Sequence, residues 1–147
     1  MIDCKKIVKT ERLIIDKYLG RPFKWAGDGK EGMDCWQLFR SIYADLGHEI
    51  QGIDQDAYPA TYAQPHNHFI ENFHREWDQV QTPAVFDAVL LFDSRRIPGH
   101  VGIVLANKRM IHCTRAGVNV VTLSDPAWAP KIQGYYRLRA MSQETAA

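Results

Sequence analysis

Apolar side chains in this chain keep two different periods, one in each half. Between Ile7 and Leu19 the apolar positions are Val8, Ile14, Ile15, Tyr18 and Leu19, set among charged residues in every turn. That spacing predicts a short amphipathic helix, ended by Gly20 and Pro22. A glycine-rich turn, WAGDGKEG, follows at 25–32. Cys35, Leu38, Phe39, Ile42 and Leu46 then recur at helical spacing, with Gly47 as a natural stop. Residues 48–65 read as a long loop. In HNHFIENFHREW, Phe69, Ile70, Phe73 and Trp77 share one face, which predicts a third, shorter helix.

After Pro83 the period changes. AVLLF, VGIVL, RMIHC, VNVVTL and GYYRLR are short β-rich runs separated by turn residues. Helices first and an antiparallel sheet second is an α+β pattern, with a sheet of about five to six strands. A length of 147 residues with 46% hydrophobic content suffices for one domain over 1–147 with a single core.

Charge removes several function classes. A net charge of +1, with both signs interspersed, leaves no footprint for nucleic acid or an anionic membrane surface. No stretch approaches the roughly 20 apolar residues of a membrane span. The first twenty residues carry charge in every turn and lack the apolar segment of a signal peptide. The expectation is a chain made in the cytoplasm. Cys4, Cys35 and Cys113 are odd in number and widely spaced, which is no disulfide framework.

Cys35 stands in an informative place. With Asp34 as N-cap, Cys35 is the first helical residue, where unpaired N–H groups and the positive end of the helix dipole favour a thiolate. The alternative is a small apolar filler packed on the sheet. A nucleophilic thiol needs a base, and His100 and His112 are the candidates. If Ala106-Asn107-Lys108 is a three-residue turn, Leu105 faces Arg109, Ile103 faces Ile111 and Gly102 faces His112. His100 and His112 then become diagonal neighbours on one face, roughly 7–8 Å apart at the backbone. Gly102 leaves room for the imidazole opposite. His100 would take the thiol proton and His112 would hold its ring. A two-residue turn would put the histidines on opposite faces.

The remaining histidines carry less. His66, His68 and His74 lie beside an apolar helix face without acidic or cysteine partners at ligand spacing, so no metal site is expected. Adjacent strand residues point to opposite faces, which makes Cys113 a core residue beside His112. Trp25, Trp36 and the loop around Tyr58 and Tyr62 are candidate groove walls, against a plain packing role for each.

GRPFKWAGDGKEGMDCWQLFRSIY, FDAVLLF, GHVGIVL and RMIHC, in that order, resemble the NlpC-type cell-wall peptidases, which are compact papain-like cysteine peptidases. The resemblance covers about residues 10–139. It implies a papain-like α+β fold with the nucleophile on a helix packed against the sheet. It implies Cys35, His100 and His112 as the catalytic set and no cofactor. It implies hydrolysis of peptidoglycan stem peptides, between D-γ-glutamate and diaminopimelate. Asp34, Trp36, Trp25 and Phe23 fall where substrate would bind. Twelve residues before Cys35, where the family commonly has a tyrosine whose hydroxyl helps form the oxyanion site, this chain has Phe23. Tryptophan after the nucleophile is similar to a branch encoded in bacteriophage tail gene clusters. That branch implies a tail-tip protein of the virion, with other tail-tip proteins as partners. Two other readings stand beside it: a non-catalytic tail-tip protein that keeps the fold, and a thiol amidase or toxin acting on another acyl substrate.

Overall fold

The computed structural model describes residues 4–27, 29–50, 75–94, 96 and 98–141. Helix α1 spans Cys4–Tyr18 and α2 spans Cys35–Asp45. Six strands follow: β1 (Trp77–Val80), β2 (Ala88–Leu91), β3 (His100–Leu105), β4 (Arg109–Thr114), β5 (Gly117–Thr122) and β6 (Ile132–Leu138). They form one antiparallel sheet in the order β1-β6-β2-β3-β4-β5. A single 3-10 turn, Ala129–Lys131, leads into β6. This is an α+β fold, as the two periods require.

Helix α2 forms where the sequence places it because both ends are built for it. The Asp34 carboxylate accepts the Gln37 N–H at 2.8 Å, which satisfies one of the donors a helix start leaves over. At the other end Gly47 adopts φ +91°. Its N–H reaches the Ala44 carbonyl at 3.0 Å, and the His48 N–H reaches Tyr43 at 2.8 Å. That pair of bonds closes the helix with a left-handed residue that glycine supplies without strain.

The apolar face of α2 lies across β3 and β4. Leu38, Phe39, Ile42 and Tyr43 bury there with Val101, Ile103, Leu105 and Ile111. The opposite face of the sheet carries a smaller cluster of Val89, Leu91, Val104, Met110 and Leu123, with Trp128 and Ile132 packed on it. β2 and β3 are buried along their whole length. They sit in the middle of the sheet with a layer on each side.

Two expectations need correction or lie elsewhere. Trp77, expected on the apolar face of the third helix, opens β1 instead and pairs with Leu138. Its indole is buried against Phe39 and Tyr43 in an edge strand. The other positions of that helix face, Phe69, Ile70 and Phe73, lie outside the described residues, as do Tyr58, Tyr62, His66, His68 and His74.

Candidate active site

The turn that decides the histidine geometry has three residues. Asn107 and Lys108 both take positive φ, +62° and +54°. Leu105 pairs with Arg109, Ile103 with Ile111, and Gly102 with His112. The register is held from α1 as well. The buried Glu11 carboxylate accepts the Ala106 N–H at 3.1 Å and pairs with Arg109 at 2.6 Å. Arg109 Nε also donates to the Ala106 carbonyl at 2.9 Å. One buried acid thus clamps the turn whose length sets the faces of both histidines.

The two imidazoles meet. His100 Nε2 lies 2.8 Å from His112 Nδ1, with both residues buried. Either nitrogen can donate; a base at His100 Nδ1 requires His100 Nε2–H to donate and His112 Nδ1 to accept. Burial pushes His100 down to about 3, with the His112 and Lys131 charges acting in the same direction and Asp93 opposing. Burial alone pushes His112 down to about 4. Both rings are therefore neutral at physiological pH, which is the form a general base needs.

Trp128 completes the pair, and nothing in the hydrophobic pattern pointed to it. Its ring stands perpendicular to His112 with centroids 4.6 Å apart, and tilted over His100 at 5.7 Å. Lys131 Nζ sits 5.0 Å from the centre of the same indole. The residue lies in the turn before β6, where its N–H bonds to the Asp125 carbonyl at 2.9 Å. A tryptophan inside PAWAP gives no periodic signal; only the fold reveals what it covers.

Cys35 occupies the first turn of α2, and the segment before it is fastened on several sides. Met33 N–H bonds to the Pro22 carbonyl, and the Met33 carbonyl accepts from Lys24 N–H, each at 3.1 Å. Cys113 Sγ donates to that same carbonyl at 3.1 Å. The second Asp34 oxygen accepts the Ala26 N–H at 2.9 Å. The N–H groups of Val101 and Trp36 approach the Cys35 sulfur and favour its thiolate. Val101 directly follows His100, so the sulfur stands at the beginning of β3. Among the described residues no hydrogen bond joins Cys35 to His100.

Electrostatics at the sulfur run against the sequence expectation. Burial, and then the Asp34 carboxylate, push the Cys35 thiol well above its usual range, and the two N–H groups do not offset them. The helix start favours the thiolate, but the first turn of this helix is 4% exposed at Cys35. A buried thiol keeps its proton until a base takes it. Cys113 is a core residue as expected, with its thiol pushed up to about 12 by burial and by Asp34.

The remaining candidates divide. Asp34 and Trp36 are buried, Asp34 as the helix cap and Trp36 stacked on Phe39 at 5.3 Å. Both side chains flanking Cys35 thus have a role in the fold, Asp34 at the helix start and Trp36 in the core. Phe23 forms a parallel bridge with Met33 and leans on the core while half-buried. Trp25 is likewise half-buried.

A family model described as the NlpC/P60 family matches residues 20–137. The chain is 22% identical over 140 residues to the probable peptidoglycan endopeptidase LytE of Bacillus subtilis, covering 92% of this chain and 35% of LytE. A Staphylococcus aureus protein described as similar to a lipoprotein of the NLP/P60 family superposes with a TM-score of 0.64 at 19% identity, covering 93% of this chain and 42% of that one. The peptidoglycan hydrolase RipB of Mycobacterium tuberculosis does so with a TM-score of 0.54 at 18% identity, over 89% and 67%. The fold is therefore that of the solved NlpC/P60 proteins. The chain spans only about a third of LytE's length.

Proposed function

The chain belongs to the NlpC/P60 family, and on that premise we propose that it is a cysteine peptidase that hydrolyses peptidoglycan stem peptides between D-γ-glutamate and diaminopimelate. The observation that carries the reading is the His100–His112 contact of 2.8 Å at the end of the sheet where the capped α2 presents Cys35. A structural core has no need of two buried, mutually bonded imidazoles, one of them adjoining the residue whose N–H meets the Cys35 sulfur.

Each group then has a role. The Cys35 proton passes to His100 Nδ1, and the sulfur forms a bond to the scissile carbonyl carbon. His112 receives the hydrogen bond from His100 Nε2–H and steadies the imidazolium that forms. The Cys35 N–H has no intrahelical acceptor in the first turn and faces the developing oxyanion. The carbon–nitrogen bond breaks, and the proton on His100 leaves with the amine. Water, losing a proton to His100, then cleaves the thioester and restores the thiol. No step calls for a metal or organic cofactor. Phe23 supplies a wall to the site but no hydroxyl, so the oxyanion depends on backbone donors.

The setting we assign is the tip of a bacteriophage tail, where the enzyme opens the wall locally. Its support is the Cys35-Trp36 pair and its likeness to the tail-encoded branch of the family. Digestion of purified Gram-negative peptidoglycan, followed by mass spectrometry of the released muropeptides, tests the activity. Stem peptides cut after D-glutamate by the wild type and not by Cys35→Ala support it. No cleavage by a folded wild type favours the non-catalytic tail-tip reading, for which the missing Phe23 hydroxyl is the motivating observation. Capture of tail proteins from a phage-infected lysate tests the setting separately.

A further inference from the structure

Adjacent residues of β4 face opposite sides of the sheet, so one dipeptide, His112-Cys113, reaches both halves of the proposed site. On one side His112 Nδ1 lies 2.8 Å from His100 Nε2. On the other, Cys113 joins the core cluster that holds Met33 and Cys35. Its thiol donates to the Met33 carbonyl at 3.1 Å and stands 3.7 Å from the carbonyl of its own neighbour, Thr114. The shorter contact is the one that leaves the strand, joining residues 80 positions apart.

Met33 directly precedes the Asp34 cap and lies two residues before Cys35. Its carbonyl has two lone pairs and receives two donors, the Lys24 N–H at 3.1 Å and the Cys113 thiol. Lys24 belongs to the loop that Met33 closes and moves with it, whereas Cys113 belongs to the sheet. That loop is also tied to β5, by Gly20 N–H on the Val118 carbonyl at 3.0 Å and Val118 N–H on the Arg21 carbonyl at 2.9 Å. Those bonds lie well before Met33, and the thiol fastens the end that matters for Cys35. Burial and the Asp34 carboxylate keep the proton on Cys113, so the group stays a neutral donor. A charge on it would oppose the Cys35 thiolate.

We propose that Cys113 is a positioning residue for the proposed reaction: its thiol fastens the segment that presents Cys35 to the strand that carries His112, and so fixes the nucleophile relative to its base. Cys113 touches no reacting atom and acts through the Met33 carbonyl. Proton transfer from Cys35 to His100 demands hydrogen-bond reach, and a shift of about 1 Å in such a geometry costs on the order of a hundredfold in rate. The inference rests on the peptidase reading and adds the link between its two halves.

Cys113→Ala and Cys113→Ser differ by one oxygen atom, and the two roles open to this thiol rank them oppositely. For a thiol that only fills space, serine is the worse replacement, because it buries a hydroxyl. For a thiol that must donate, alanine is the worse. Cys113→Ala is expected to lose about tenfold in kcat on a stem peptide with little change in KM, and Cys113→Ser to stay within about threefold of wild type. Amide hydrogen exchange on the full chain reads the fastening without substrate. The Ala26 and Gln37 N–H groups, both held by Asp34, should exchange about tenfold faster in Cys113→Ala and close to the wild-type rate in Cys113→Ser. Undiminished kcat in Cys113→Ala, or a Cys113→Ser no better than Cys113→Ala, overturns the positioning role and leaves the peptidase standing. No cleavage by folded wild type overturns the peptidase reading and the catalytic consequence with it. Unchanged exchange in Cys113→Ala overturns the fastening itself, whether or not the wild type cleaves.

Discussion

Gly102 is the residue that lets the histidine pair exist, and Gly102→Ala measures how much. It faces His112 across β3 and β4. A Cβ added there would lie 3.1 Å from the Ile111 carbonyl oxygen, 3.3 Å from His112 Cβ and 3.3 Å from Met110 Sδ. The methionine can move, but the carbonyl belongs to the sheet ladder and His112 Cβ to the buried pair. Overpacking of this kind costs about 1–3 kcal/mol, and the reduced freedom of the unfolded alanine chain returns about 0.4–1 kcal/mol. The net loss is about 1–2 kcal/mol. For 147 residues the unfolding entropy is about 0.3 kcal/mol/K, so Tm should fall by about 3–6 °C. Displacing His112 also lengthens its 2.8 Å contact with His100. In the proposed mechanism His112 steadies His100, so misplacing it should lower kcat about tenfold or more with little change in KM. Calorimetry and stem-peptide kinetics on the same preparation read both effects. A Tm within roughly 1 °C of wild type together with unchanged kcat would refute the reasoning.

Trp128→Ala lets water reach both imidazoles, whose depressed values come first from burial. In the wild type the unfolded chain gains protons below about pH 6.5 that the folded histidines refuse, so stability falls by about 1.4 kcal/mol per pH unit per histidine as pH drops toward 4. The slope should be shallower in the variant, measured by denaturant unfolding at pH 7 and pH 5; equal slopes would count against the covering role. Glu11→Gln releases the clamp on the hairpin turn and should cost about 1–2 kcal/mol, because Arg109 keeps 33% of its side chain in solvent. Unchanged thermal stability would sink it. Asp34→Ala removes two carboxylate hydrogen bonds at the start of α2 and should cost about 1–2 kcal/mol. Removing that charge should also lower the Cys35 thiol pKa, read from the pH dependence of thiolate ultraviolet absorbance; an upward shift would contradict the account.

What was legible in the sequence was whatever short-range rules govern. The Asp34 cap and the Gly47 stop are local chemistry, and α2 runs between them. A three-residue turn at Ala106-Asn107-Lys108 fixes a register, so Gly102 opposite His112 could be read from counting residues. Features made by chain-distant contacts stayed hidden. β1 is four residues long and buries only Trp77 fully, too little to compete with a helical pattern just before it. Glu11 is one acid among many in an amphipathic helix, and only the packed hairpin shows it as a clamp. Trp128 gains its partners only where the turn before β6 meets the two histidines. The thiol illustrates the limit most plainly. A helix start lowers its pKa, but how deeply that start is buried is a property of the whole fold, and burial outweighs the dipole.

The central claim is that Cys35 forms the acyl intermediate with His100 as its base. Rapid acid quench of the enzyme with a stem peptide, followed by intact and peptide mass spectrometry, tests it most directly. The account predicts an acyl adduct on Cys35 that forms and decays during turnover, is lost in Cys35→Ala, and forms far more slowly in His100→Ala. Turnover without any adduct on Cys35, or undiminished turnover by Cys35→Ala, would contradict it.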